Sequence, residues 1–335
     1  MAPEVTVIVP TRDRCTLLRG TLASVLAQED VDLEVVVVND GSTDGTQTML
    51  DAHDDGRVHA IHLVSSGGVA RARNTGMERA RGRWLAFLDD DDLWAPSKLR
   101  AQLDAAASSE ADFVYCAAVL IDRDHRVVGS EPAPPADGLL PRLFPGNPIP
   151  AGASSVLARA SLVREAGGFD EQFTQLADWD MWIRLVLAGR PAACPEYLVG
   201  YLQHPTNMLI SDTRNVLREL DRLARKHQAA ATANGAAFDR SYFVRWAASG
   251  PSRAGDRLRA TRIYLRGAVR LRDRELLSLG LHELLGRRVT RAIRVALTPV
   301  LGRPHGAPPA GLDQGLPVPA SAVSWLGSAA QRAPE

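Results

Sequence analysis

Up to about residue 116 the chain alternates short, β-branched apolar runs with longer segments whose apolar residues recur at i, i+3 and i+4. The strand-like runs are VTVIV (5–9), LEVVVV (33–38), VHAIHLV (58–64), WLAFL (84–88) and DFVYC (112–116). Between them, 17–28, 46–53, 69–81 and 96–106 carry helical periodicity. The runs are apolar on both faces, which predicts a Rossmann-like α/β fold: a mainly parallel sheet flanked by helices. Ligands bind such sheets at the carboxyl ends of the strands. Three polar clusters fall there: PTRDR (10–14), NDGSTDG (39–45) and DDDD (89–92).

Further along, 117–129 alternates as strands do, whereas 129–152 contains seven prolines and predicts a long surface loop. A strand is expected at 154–159, a short helix at 160–166 and a helix at 178–189. Past residue 211 the pattern becomes helical. The reading is therefore a catalytic domain over 1–210, a helical C-terminal extension over 211–302, and a disordered Pro/Gly/Ala-rich tail over 303–335.

Composition adds exclusions. The 335 residues are 45% hydrophobic and 23% charged with zero formal net charge, so global charge names no partner and nothing points to nucleic acid. Cys15, Cys116 and Cys194 form no CxxC pair, which argues against a disulfide framework or a structural zinc site and fits a cytoplasmic setting. The opening MAPEVTVIVPTRDR enters a strand and predicts no signal peptide. The nearest candidate for a spanning helix, 289–301, contains Arg291 and Arg294. Residues 253–297 hold twelve Arg against Asp256, Asp273, Glu275 and Glu283. Those helices are either solvated faces or a peripheral contact with anionic lipid on the inner face of a membrane.

No GxGxxG follows the first strand, and neither lysine (Lys98, Lys226) sits in a GxxxxGK[ST] context. Four adjacent carboxylates at a strand end suit a hard divalent cation, Mn2+ or Mg2+, which binds few protein oxygens and fills its shell with phosphate and water. The alternative is helix capping, although Pro96 suits the first turn of the next helix and places the cap near Ala95. Asp40 offers a carboxylate to a base N–H, and the arginines of PTRDR and ARN (72–74) suit a pyrophosphate.

Taken together, VTVIVPTRDR, VVVVNDGSTDGT, ARNTGMERARGRWLAFLDDDDLW, GGFDEQFTQLADWDMWIRL and YLQHPTNM resemble the family 2 inverting glycosyltransferases with the GT-A fold, across roughly residues 4–208. The resemblance implies transfer of a sugar from a UDP-, GDP- or dTDP-sugar to the hydroxyl of a sugar, lipid-linked or small-molecule acceptor. It puts Pro10, Thr11, Arg12, Arg14, Asp40, Gly41, Ser42, Arg73, Asp89 and Asp90 at the donor, and Asp91, Asp89 and His204 at the metal. Asp178 stands where the family has its general base, with Asp180 as rival; Trp179, Asp180 and Trp182 are candidates for the acceptor side. Ala177 departs from the Glu common beside that base. A sugar nucleotidyltransferase and a non-catalytic nucleotide-binding protein on the same fold are the rival readings.

Overall fold

The computed structural model describes residues 2–203, 216–253, 255–285 and 318–327. The strands are β1 (Val5–Thr11), β2 (Leu33–Asn39), β3 (Val58–His62), β4 (Trp84–Phe87), β5 (Leu93–Trp94), β6 (Phe113–Ile121), β7 (Val127–Glu131), β8 (Val156–Arg159) and β9 (Pro191–Leu202). The helices are α1 (Cys15–Leu26), α2 (Thr46–Asp51), α3 (Val69–Arg79), α4 (Lys98–Ser109), α5 (Leu139–Leu143), α6 (Ala160–Glu165), α7 (Ala177–Ala188), α8 (Val216–Ala233), α9 (Arg240–Arg253), α10 (Arg257–Leu271) and α11 (Arg274–Leu285). The chain divides into two compact units, one of residues 1–143, 147–204 and 314–335, the other of 144–146 and 205–313.

In the first unit the described strands form one sheet ordered β3, β2, β1, β4, β8, β6, β9, β5, with β7 paired to β6. The expected parallel arrangement holds for β3, β2, β1 and β4. Beyond them the sheet is mixed, because β8 runs antiparallel to both β4 and β6. β9 was not anticipated: Pro191 and Pro195 argue against a strand, yet it pairs with β6 and the register shifts where Pro195 and Glu196 fall. A bulge there removes the ladder position that proline cannot fill.

Alternation along β1 and β2 builds a core on each face. Val5, Val7, Val9, Val35 and Val37 pack with Leu18, Leu22 and Val25 of α1, Met49 and Leu50 of α2, and Leu99 and Leu103 of α4. On the opposite face Val36 and Val38 meet Ala72 of α3. Gly76 lets that helix lie against β1, since a Cβ there would stand 2.6 Å from Ile8. The register sets Thr11 beside Asn39 and Ile8 beside Phe87, so the ends of β1, β2 and β4 share one edge. All three polar clusters stand there.

Residues 318–327, expected within a disordered tail, instead pack on the first unit: Leu326 is buried with Leu93, Val119, Ile121 and Leu202, and the Trp325 indole donates to Tyr197 O at 3.2 Å. Apolar side chains over the β5–β9 side outweigh the local composition. The second unit is helical, with Val244, Ala248, Tyr264, Ala268 and Leu276 at its centre. Among the described residues no helix is long and apolar enough to cross a membrane.

Lys98 is fully buried in the first unit, donating to Gln102 Oε1 at 2.7 Å and lying 3.8 Å from the Trp94 ring centroid. Burial lowers its pKa from 10.5 to about 8. The unfolded chain binds the extra proton between those values, so native stability measured against Lys98→Met should rise as pH goes from about 8 to about 10.5. Melting temperatures of the two proteins across that range test it; a constant difference would refute the desolvation.

Candidate active site

The chain turns sharply after β4, with Asp92 N donating to Asp89 O at 3.2 Å, and this turn separates the four aspartates by environment. Asp90 and Asp92 point inward and are 5% and 0% exposed; Asp89 keeps 32% of its side chain exposed, while the Asp91 side chain is 8% exposed beneath Arg14. Asp90 accepts from Thr11 Oγ1 at 2.7 Å and Arg14 Nη1 at 2.8 Å. The same Arg14 nitrogen lies 2.6 Å from Asp91 Oδ2. Arg73, itself 4% exposed, donates to Asp89 at 2.5 Å and lies 5.2 Å over the Phe169 ring. Asp92 accepts from Ser154 Oγ at 2.5 Å and from the Leu202 N–H at 3.0 Å.

These partners explain the protonation tendencies. Burial pushes Asp90 up to about 6 against the pull of Arg14. Asp92 is driven well above the ordinary carboxylate range, first by burial and then by the charges of Asp91 and Asp89. Ser154 had no sequence signal, yet its hydroxyl accepts from Asp89 N at 3.1 Å and donates to Asp92, while its carbonyl accepts from the Trp94 indole at 2.9 Å. Ser154 stands just past the Pro-rich stretch, at the head of the strand expected over 154–159, and one hydroxyl there carries no periodicity that marks it. Asn74, next to Arg73 in ARN, clasps the backbone of Phe169 at 2.9 and 2.8 Å and so seats the ring beneath the guanidinium.

The NDGS turn acts on the chain itself. Asp40 is buried and accepts from Ser66 Oγ at 2.6 Å, Gly67 N at 2.7 Å and Gly68 N at 2.9 Å. A carboxylate has about four acceptor positions, so one remains for a ligand donor. Gly41 has φ +70°, and a Cβ there would stand 2.9 Å from Ser66 N. Ser42 Oγ accepts from Asp13 N at 2.9 Å. Pro10 and Thr11 are buried, and Arg12 turns outward to Asp13 at 3.6 Å. Of the two arginines in PTRDR, Arg14 is the one that reaches the acidic turn.

Asp178 lies half-buried in the first turn of α7, where it accepts from Trp179 N at 2.7 Å. Gly152, at φ +50°, faces it: a Cβ there would come 3.0 Å from Asp178 Oδ2. Burial raises the Asp178 pKa to about 6, Arg73 lowers it and Asp89 raises it. Asp178, Arg73 and Asp89 therefore share one electrostatic neighbourhood.

The acceptor-side expectations do not survive. Asp180 is 0% exposed and ion-paired with Arg184 at 2.7 Å, which also removes it as a rival base. Trp179 is buried and donates to Leu143 O at 2.6 Å. Trp182 is fully buried, 5.6 Å from the Phe113 ring and 6.3 Å from Phe169. Helical periodicity turns all three into the core, leaving Asp178 at the edge. His204 lies outside the described residues.

Residues 6–162 match the family model for glycosyl transferase family 2. The match covers just under half of the chain, and residues 6–162 carry that family's pattern. The chain is 41% identical over 109 residues to the succinoglycan biosynthesis protein ExoO of Rhizobium meliloti (strain 1021), covering 32% of this chain and 31% of that protein. It is 32% identical over 130 residues to the Escherichia coli UDP-Glc:alpha-D-GlcNAc-diphosphoundecaprenol beta-1,3-glucosyltransferase WfgD, covering 39% of this chain and 51% of the relative. The chain thus spans between a third and a half of the length of these curated relatives. Its fold is similar to that of S. aureus TarS 1–349, solved with UDP-GlcNAc, at a TM-score of 0.57, 19% identity, 74% coverage of this chain and 71% of the other. The fold is GT-A, with a helical C-terminal region.

Asp92 is a structural member of the acidic run. Asp92→Ala strands the Ser154 hydroxyl and the Leu202 N–H and should cost about 2–4 kcal/mol. Asp92→Asn keeps the shape without the charge and should cost far less in the same denaturant titration. Equal losses for both variants would contradict a carboxyl driven upward by burial and by the charges of Asp91 and Asp89.

Proposed function

We propose that the chain transfers a sugar from a nucleoside-diphosphate sugar to an acceptor hydroxyl with inversion, with Asp178 as general base. The observation that carries this reading is the shared neighbourhood of Asp178, Arg73 and Asp89 at the carboxyl edge of the sheet. In the proposed step Asp178 takes the proton from the acceptor oxygen as that oxygen attacks the anomeric carbon. The bond from that carbon to the diphosphate breaks on the opposite side. With a pKa near 6, Asp178 is ionised at neutral pH yet more basic than an exposed aspartate. Arg73 holds the base and the acidic turn in one field.

Asp91 and Asp89 are the residues proposed to hold a divalent Mn2+ or Mg2+. No group of three His, Cys, Asp or Glu gathers among the described residues. One or two carboxylates at an open edge nonetheless fit an ion that takes its other oxygens from phosphate and water. When bound, such an ion would neutralise charge developing on the leaving diphosphate. The base-binding role of Asp40 belongs to this proposal, with one acceptor position left for a base N–H. The specificity printed in the name of the relative WfgD makes UDP-sugars the first donors to test.

Asp178→Asn should lose roughly 10²–10⁴-fold in turnover while the thermal shift produced by a bound UDP-sugar persists. Turnover within a few-fold of native would remove Asp178 as the base. The product separates the reaction classes: a nucleoside diphosphate fits sugar transfer, whereas pyrophosphate would mean nucleotidyl transfer. Arg14 neutralises Asp91 in the absence of ligand, so Arg14→Ala should bind Mn2+ alone roughly three- to tenfold more tightly, read by paramagnetic resonance of the free ion. Weaker binding would exclude competition between guanidinium and ion for that carboxylate.

A further inference from the structure

Helix α10 of the second unit packs with an unusual polarity. Its inward side is built mainly of small residues, Ala260, Thr261, Gly267 and Ala268, together with Tyr264. A Cβ on Gly267 would stand 2.6 Å from Val244, so the helix lies close against its neighbour. Larger apolar residues are left outside: Leu258 is 63% and Val269 80% exposed. With half-buried Leu265 they stand seven and four residues apart, on one stripe of the helix.

Charge borders that stripe with a single sign. Helix α10 contains Arg257, Arg259, Arg262, Arg266 and Arg270 and no acidic residue. Arg270 pairs with Asp221, and Arg257 donates to Glu283 O at 2.8 Å. Arg262 and Arg266 are exposed, lie one turn apart beside the stripe, and make no ion pair among the described residues. The next helix, α11, packs on α10 through Gly280 against Leu265 and leaves Leu277, Leu284 and Leu285 exposed at 43%, 47% and 42%. The basic residues of the 253–297 segment thus include a defined apolar ridge with arginines at its side, while residues 254 and 286–297 lie outside the described part.

We propose that this face of α10 docks on an anionic lipid bilayer, with Leu258 and Val269 entering the headgroup–acyl boundary and Arg262 and Arg266 binding lipid phosphates. Exposed apolar side chains lose water contact there, while arginine stems lie along the apolar layer and keep their guanidiniums at the charged surface. A nucleic acid would satisfy the arginines but leave the apolar stripe in water. A bilayer accommodates both. The inference concerns the second unit alone and does not depend on the proposed reaction.

The test is sedimentation of the whole chain with vesicles of equal parts phosphatidylglycerol and phosphatidylcholine, and with vesicles of phosphatidylcholine alone. Binding should require the anionic lipid and weaken as salt rises from about 0.1 M to about 1 M, where the screening length falls from about 10 Å to about 3 Å. Arg262→Ala/Arg266→Ala should reduce partitioning roughly tenfold or more. Leu258→Ser/Val269→Ser should also weaken it, both pairs melting like the native chain because they remove no buried contact. Overturning results are equal binding to both vesicles, no binding to the anionic ones, or lipid binding that both double variants retain. A change of oligomeric state or of nucleic-acid retention in the variants, without a change in lipid binding, would likewise overturn it.

Discussion

Adjacent carboxylates at the edge of a buried sheet repel one another, and at an effective dielectric of 20 each close pair is worth about 4 kcal/mol. In this chain Asp89–Asp92 are accommodated by drawing opposite charge and hydrogen-bond donors from distant parts of the sequence. Arg73 from α3 answers Asp89, and Arg14 at the start of α1 bridges Asp90 and Asp91. Thr11 at the end of β1 completes Asp90; Ser154 and the amide of Leu202 in β9 complete Asp92. Four separate segments, around residues 11–14, 73, 154 and 202, are thereby tied to one four-residue turn.

The same constraint connects structure to chemistry. Arg73 is the shared element: its guanidinium meets Asp89, rests over Phe169 and lowers the pKa of Asp178 against the desolvation that raises it. A base on one helix and an acidic turn on one strand are therefore electrostatically coupled. Behind the turn a second series of contacts runs from buried Lys98 to the Trp94 ring, from the Trp94 indole to Ser154 O, and from Ser154 Oγ to Asp92. It seats the turn on the core, so Asp89 and Asp91 are presented by a backbone held from beneath.

Much of the architecture is legible along the chain because βαβ periodicity is local. β1 to β4 and α1 to α4 fall where apolar spacing puts them, and their order brings PTRDR, NDGS and DDDD to one edge. β9 was hidden because its prolines disguise a strand whose partner, β6, lies far away in sequence. Ser154 was hidden because one hydroxyl in the short 3-10 turn Gly152–Ser155 has no periodicity of its own. Trp179, Asp180 and Trp182 misled for a related reason: one turn of helix is too short for sequence to tell its inward side from its open side.

Family resemblance marked Asp178, and the sequence by itself determined the doubly covered parallel half of the sheet and the carboxyl-edge placement of three polar clusters. These follow from periodicity and chain order, which act between residues close in sequence. Only the tertiary structure decided that Asp90 and Asp92 turn inward, that Arg14 covers Asp91 and that Asp89 stays the most open of the four. It likewise decided that Arg14 rather than Arg12 meets them, that Asp40 braces the 66–68 loop, and that Asp180 belongs to Arg184. Those choices depend on which remote donor or hydrophobic surface reaches each side chain, and such long-range pairing has no imprint in local spacing.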